Sequence, residues 1–410
     1  MNDTVQTDVL IIGAGPAGAL LGNLLGRRGV KVVLAEKNTR TERSFRGETI
    51  AARSVVTLRE LGFEPALARH GYVELEGISF WENGHRIMAA DYNRFPIGAL
   101  PIDIPQPALL EAFLDASRQL PSCEMLMGTN FMSLIVEDGV VRGAVLNGQG
   151  GRPVDVHARL VVGADGRFSR VRKASGLEVV ITPMERDFVW FKFPRPDDWP
   201  HQSQLVVNGD KHLVILPTFP DLLRVGYNLP KKGFAKVRER GIEAFRASIV
   251  ELDPRLAPLV EEHITGWHDT SFLDIFTAEM ENWARDGLLL IGDAAHTSTP
   301  ILGQGVNLAL QDAVYLAPVL TAALARGGND VVRAAELAAF VEKRRAHKAM
   351  VTKFQRVQEA SLAKGSLLGT LLRRTRLRML NLHPMKYRML DRVMNAPHDM
   401  SVEANYARAA

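Results

Sequence analysis

The sequence predicts an α/β fold in which a domain built on a parallel sheet is interrupted by a mainly antiparallel-sheet domain and followed by C-terminal helices. Three observations carry this. The chain opens on a buried-strand run, Val9-Leu10-Ile11-Ile12, that turns through Gly13-Ala14-Gly15-Pro16-Ala17-Gly18 into a helical pattern. Two later apolar runs, Leu160-Val161-Val162-Gly163-Ala164-Asp165 and Leu288-Leu289-Leu290-Ile291-Gly292-Asp293, end in the same way, in a glycine and a carboxylate. Between these runs lie short alternating segments, which read as sheet excursions.

The first run has the form of a Rossmann-like dinucleotide-binding βαβ unit. Gly13 permits the tight turn off the strand, Gly15 lets the backbone approach a pyrophosphate, and Gly18 lets helix and strand pack closely. Pro16 falls at the first helical turn, where a missing N–H costs little, and Ala17 begins the apolar spacing continued by Leu20, Leu21, Leu24 and Leu25. The free N–H groups and positive dipole end of that helix favour an anion. Gly29 ends the helix, and the run Val30-Lys31-Val32-Val33-Leu34-Ala35 ends in Glu36, with Lys37 beside it. A carboxylate there accepts hydrogen bonds from a ribose and argues against a 2′-phosphate. Either NAD or FAD satisfies these residues.

Strand and helix patterns continue along the chain. After the polar stretch 38–44 and Phe45-Arg46-Gly47-Glu48-Thr49, the spacing predicts a helix over 52–61, stopped by Gly62. Short alternating segments occupy 72–92, and Ile104-Pro105-Gln106-Pro107 leads into a helix over 108–120. A hairpin over 134–146 turns at Glu137-Asp138-Gly139. Strands dominate 179–266, among them 188–193, 204–207, 212–216 and 223–227, with one helix near 241–250. The boundaries that follow are 1–71, 101–177 and 276–335 for the nucleotide domain, 72–100 and 178–275 for the second domain, and 336–410 for a helical region.

Composition bounds the function classes. The 410 residues are 46% hydrophobic and 23% charged, enough for two sizeable cores. The single cysteine, Cys123, excludes an internal disulfide and reads as a core residue. No basic leader precedes the first strand and no uninterrupted apolar run reaches membrane-spanning length, so a soluble, cytoplasmic protein is expected. A net charge of +4 does not imply nucleic acid, and no recognition motif is visible. The charge is uneven, however: from Lys343 to Arg378 the one acid is Glu359. We read this segment as helices that lay Leu368, Leu371, Leu372 and Met379 on their own domain with the arginines in water, the alternative being contact with a membrane surface or an acidic protein.

The three motifs Gly13 to Gly18, Gly163-Ala164-Asp165-Gly166 and Gly292-Asp293-Ala294-Ala295-His296, in this order and spacing, resemble those of the single-component (group A) FAD-dependent aromatic hydroxylases, whose fold is that of para-hydroxybenzoate hydroxylase. The resemblance covers nearly the whole chain and selects FAD. It implies that Gly13, Ala14, Gly15, Pro16, Ala17 and Gly18 hold the pyrophosphate, Glu36 the adenosine ribose, and Asp293, beside Gly292, a ribityl hydroxyl. Arg46 is implied near the pyrophosphate or the flavin, Gln106 against the ribityl chain, and Phe131 in a backbone contact to adenine. Asp165 is implied to organise backbone and a cofactor-side network. Pro300-Ile301-Leu302-Gly303-Gln304-Gly305-Val306-Asn307 matches the loop and helix start beside the flavin ring, where Gly303 and Gly305 allow close approach. His296 sits where the family has a structural partner.

The activity the resemblance implies is hydroxylation of an aromatic or other electron-rich small molecule, with NAD(P)H as co-substrate and O2 activated as a flavin 4a-hydroperoxide. No second dinucleotide motif is present, which fits either transient nicotinamide binding or reduced flavin supplied by a separate flavin reductase. The second domain is expected to present a sheet over the flavin, with Phe191, Phe193, Leu216, Pro217 and Tyr227 lining an apolar pocket. No general base is evident, and no metal site. Rival activities on the same scaffold are a geranylgeranyl-type prenyl reductase, suggested by Gly47-Glu48 and the basic tail, a flavin halogenase, whose Trp-x-Trp-x-Ile-Pro segment is missing, and a flavin-binding protein without turnover.

Overall fold

A computed structural model describes residues 3–41, 49–148, 151–326, 328, 330–362, 366–397, 399–403 and 406. Arg46 and the Gly47-Glu48 pair lie outside the described residues.

The core of the first domain is a parallel sheet in the order Leu288–Leu290, Pro153–Gly163, Asp3–Ile12, Val32–Glu36, Cys123–Met127. Its central strands are buried on both faces, which is why they read as unbroken apolar runs rather than as alternation. The antiparallel hairpin Asn130–Glu137 and Val140–Asn147 pairs with the first half of Pro153–Gly163, whose second half pairs with Leu288–Leu290, and turns through left-handed Asp138 and Gly139. The helices Pro16–Arg27, Gln106–Arg118 and Gln304–Leu324 cover the sheet. The run Ile301–Leu324 is long and apolar enough, by length and mean composition, to cross a membrane, although it is not the uninterrupted apolar run whose absence the sequence shows. Most of it is buried in the fold, and the polar Asn307, Gln311 and Asp312 that interrupt its apolar pattern are buried with it.

The second domain is a seven-stranded sheet in the order Ser271–Leu273, Arg186–Pro194, Leu222–Pro230, Lys211–Thr218, Gln202–Asn208, Gly77–Glu82, His85–Asp91. Every pairing in it is antiparallel except that of Gln202–Asn208 with Gly77–Glu82. One face is covered by the helices Ile242–Leu252 and Ala257–His263, which bring Phe245, Ile249, Leu252 and Val260 onto Val189, Phe191 and Phe193. The other face looks toward the first domain. A buried ion pair joins the two: Arg224 lies 3.4 Å from Asp103, whose carboxylate also accepts from Thr49 at 2.8 Å.

Three helices finish the chain: Ala334–Leu362, Leu367–Leu382 and Lys386–Met394. The second packs on the strand His85–Asp91, but not with the face expected. Leu368, Leu371, Leu372 and Met379 point into solvent. The buried side instead carries Arg373, which donates from Nε to Glu82 at 2.9 Å, with Leu377 and Leu380 on either side of it against Phe80, Ile87 and Met88. Glu82 is fully buried, and a buried carboxylate demands a cation, so the ion pair fixes the helix's rotation over the preference of its leucines. Cys123 is buried as expected, and burial pushes its thiol up to about 11.

Candidate active site

The three glycine motifs converge at the carboxyl ends of the parallel strands. Gly13 has φ +107°, and a Cβ there would sit 2.5 Å from the Ala164 carbonyl oxygen. A Cβ on Gly18 would lie 2.0 Å from the Gly13 oxygen. Both positions are closed to any side chain by backbone, which is the close strand–helix approach that the motif requires. Gly15 is the N-cap of the helix Pro16–Arg27, with no side-chain cap and no acid in the first turn, leaving its first N–H groups for an anion. Gly292, at φ +57°, packs against Ala17, bringing the third motif onto the first.

The carboxylates around this cradle are held by backbone. Glu36 is buried; one oxygen accepts from Ala14 N–H at 2.9 Å, and the other from the backbone and side chain of Asn38 at 3.1 and 2.8 Å. It therefore shapes the glycine turn as well as facing the nucleotide side, while Lys37 is exposed. Thr129 N–H donates to the Glu36 carbonyl at 2.8 Å, setting the backbone before Phe131 alongside, with the Phe131 ring buried in the core. Gln106 is buried at the start of its helix. Asp165 accepts from Ser169 Oγ and from Arg170 and Val171 N–H at 2.7 and 3.1 Å, tying down the helix Arg170–Ser175. Asp293 is half-buried beside Arg167 and Arg172, whose guanidinium pKa values are lowered by burial and pulled back up by nearby carboxylates, Asp293 among them.

His296 belongs to a buried cluster, not to a reacting position. Its Nε2 lies 2.6 Å from Asp312, which also accepts from Gly292 N–H at 2.8 Å and from Arg344 Nε at 2.7 Å. Burial pushes the Asp312 carboxyl up, but the charges of His296 and Arg344 outweigh it and hold it at about 2. The Trp283 ring lies on the imidazole, 4.8 Å between centroids. The cluster anchors the Gly292-Asp293 turn to the long C-terminal helix.

Beside the cradle, Leu302 and Gly303 are consecutively left-handed, at φ +64° and +60°, before the helix Gln304–Leu324 begins. For Leu302 that conformation costs about 1–2 kcal/mol, and the surroundings enforce it. Gln355 donates to the carbonyls of Thr299 and Ile301 at 3.1 and 2.8 Å. Asn307 accepts from Ala51 N–H at 2.9 Å and donates to the carbonyls of Thr49 and Gly303 at 3.2 and 3.0 Å. Gln304 donates to the Met394 carbonyl at 3.3 Å. Gly303 contributes no capping side chain and the first turn, with Gly305 and Val306, contains no acid. A second positive helix end thus stands open a short way from the first. Two uncapped helix starts, glycines that backbone contact forbids to be anything else, and carboxylates at three strand ends fit an extended dinucleotide such as FAD.

A narrow cleft, with a volume of about 20 Å³ in this structure, lies between the loop 299–301 and the inward-facing side of the second sheet. Phe188 and His212 line it and meet edge-on at 5.4 Å, and Trp190 stacks behind Phe188 at 5.6 Å. His212 Nδ1 and Thr299 Oγ1 are buried and have no hydrogen-bond partner among the described residues. Burial pushes the His212 pKa down to about 3, assisted by Arg186 and Arg373 and opposed by Asp210, so the imidazole is neutral at ordinary pH. Arg186 and Glu359 also line the cleft. Burial, with Glu185 nearby, raises the Glu359 carboxyl.

The pocket expected from sequence is corrected here. Of its five residues only Leu216 lies on the cleft face, with Phe188 and Trp190. Phe191, Phe193 and Tyr227 point the other way, packed with Phe245. Pro217 pairs with Leu223, which belongs to that far-side core. The residues missed are their strand neighbours, Phe188, Trp190 and above all His212. A histidine at the head of the apolar run Leu213-Val214-Ile215-Leu216 was the available signal.

The family model described as FAD binding domain matches residues 6–355. Among known proteins, 6-methylpretetramide 4-monooxygenase of Streptomyces rimosus is 38% identical over 327 residues, spanning 79% of this chain and 77% of that protein. Among solved structures, PqsL of Pseudomonas aeruginosa in complex with 2-aminobenzoylacetate superposes with a TM-score of 0.77 at 24% identity, covering 90% of this chain and 99% of PqsL. The p-nitrophenol 4-monooxygenase PnpA of Pseudomonas putida superposes with a TM-score of 0.80 at 19% identity, covering 96% and 99%. These last two likenesses are ones of fold.

Proposed function

The chain belongs to the FAD-binding family of group A flavoprotein monooxygenases, and from that premise we propose that it uses NAD(P)H and O2 to hydroxylate a hydroxyl-bearing aromatic small molecule in the cleft beside the loop 299–303. The observation that carries the substrate side of this reading is the pairing of an aromatic wall with one neutral, unpartnered imidazole.

FAD, when bound and reduced, would supply the electrons that activate O2, and the oxygen atom transferred would be one of the two in O2. The chain's residues do the rest. The uncapped starts of the helices Pro16–Arg27 and Gln304–Leu324 offer N–H groups to the pyrophosphate and to negative charge on the reduced ring system. Phe188, backed by the stacked Trp190, offers an apolar surface to the substrate ring and excludes water from it. His212 Nδ1 accepts a hydrogen bond from the substrate's hydroxyl or, in the other tautomer, donates one, and thereby orients the ring. Thr299 Oγ1 provides a second polar contact at the opposite wall.

The similarity to a relative named for 4-monooxygenation of 6-methylpretetramide supports an aromatic substrate. The test is oxygen uptake by the FAD-loaded protein with NADH or NADPH, with and without a panel of phenols and their methyl ethers. Uptake stimulated by phenols is expected. Nicotinamide oxidation or prenyl reduction without oxygen consumption would refute the reading in favour of a reductase.

A further inference from the structure

The helix Leu367–Leu382 is turned inside out. Leu368, Leu371, Leu372, Met379 and Leu382 are each 60 to 83% exposed. At the helical repeat these five occupy an arc of roughly 100° over a length of about 20 Å, so they form one apolar stripe that only the exposed Thr375 interrupts. Arg378 falls just outside one edge of the stripe and Arg376 just outside the other, both exposed. Met385 and Met389, at the start of the following helix, extend the apolar surface. Nothing in the fold can turn this face inward, because the opposite face is held by the buried pair of Arg373 with Glu82.

The chemistry of what covers the stripe follows from charge. Between Glu359 and Asp391 the sequence contains no acidic residue. A second copy docking through the same face would oppose arginine to arginine along both edges. A lipid surface complements the face in depth: an acyl layer for the leucines, and anionic head groups at the level where guanidinium groups on either flank reach up.

We propose that the helix Leu367–Leu382 is an interfacial anchor, which lies in the plane of an anionic phospholipid surface with its leucine stripe in the acyl boundary and Arg376 and Arg378 among the head groups. The helix that precedes it, Ala334–Leu362, lines the active-site cleft with Glu359 and Leu362. Anchoring therefore brings the cleft toward the surface in which an apolar aromatic compound concentrates.

The test uses the full-length FAD-loaded protein, floated with vesicles of phosphatidylcholine alone and of phosphatidylcholine mixed with phosphatidylglycerol. Wild type is expected to float with the mixed vesicles, to remain largely below the neutral ones, and to be released by raised salt. Leu371→Glu with Leu372→Glu is expected to reduce binding by at least roughly tenfold. Each of Arg376→Gln and Arg378→Gln is expected to reduce it roughly fivefold. All four positions face solvent, so bound flavin and the unfolding midpoint stay at wild-type values. Wild type that ignores both kinds of vesicle overturns the proposal, as do variants that float as well as wild type. A wild-type dimer that Leu372→Glu splits, without vesicle binding, would show that a second copy covers the stripe.

Discussion

Replacing His212 with phenylalanine tests whether the cleft presents a neutral imidazole. The ordinary value of a histidine is 6.5, and burial holds this one at about 3 in the folded protein. At about pH 7 the ring is neutral in both folded and unfolded chains, and its ionisation contributes nothing to the difference. As the pH falls below the unfolded value, the unfolded chain binds a proton that the folded chain refuses. Stability is therefore lost on acidification from about 6.5 downward, at about 1.4 kcal/mol per pH unit, or roughly 2 kcal/mol by pH ~5. The full penalty develops only as the folded value is reached. The phenylalanine variant lacks this loss, whereas the carboxyl groups of Asp210 and Glu359 are present in both proteins and their contributions largely cancel. Urea unfolding of the two proteins at each pH, followed by fluorescence and circular dichroism, gives the stability difference between them. It should move by roughly 2 kcal/mol in favour of the variant between about pH 7 and about pH 5. An unchanged difference would mean that folding does not exclude the proton, and that His212 is not the neutral hydrogen-bonding group on which the substrate reading rests.

Other substitutions address the rest of the site. Gly15→Glu places a side chain and a negative charge at the uncapped start of the first helix, and the purified variant should be colourless; a yellow one would contradict the cradle. Asp312→Asn leaves the fully buried Arg344 without its counter-charge and should cost about 3–5 kcal/mol of stability, with faster loss of flavin detected as released fluorescence; stability and flavin retention near wild type would contradict the anchoring cluster. Phe193→Ala should cost about 3–5 kcal/mol while leaving substrate affinity of the folded enzyme unchanged, whereas Trp190→Ala should raise KM. The opposite pattern would reverse the two faces of the sheet.

The contrast between Phe193 and Trp190 also marks where the sequence stopped being readable. The cofactor motifs are local: a glycine at φ +107° and a strand ending in a carboxylate leave their signature within a few residues. The strand Arg186–Pro194 is covered on one face by helices and on the other by the cleft. Aromatic residues occupy both faces, and no polar alternation tells which one meets the substrate. The helix Leu367–Leu382 shows the converse. Its amphipathic pattern was plain, but its orientation was decided by Glu82, 291 residues away in sequence from Arg373. His296 was legible as structural from its motif, while the partners that make it so, Asp312 and Arg344, come from helices that only the fold brings together.

A monooxygenase places one atom of O2 in its substrate. Turnover of a phenol under oxygen-18 gas, with NADPH or NADH and the FAD-loaded protein, reads this directly by mass spectrometry of the product. Incorporation of a single labelled oxygen from the gas, and none from labelled water, is the predicted result. A product without label, or nicotinamide oxidation with an unaltered phenol at every concentration, would contradict it.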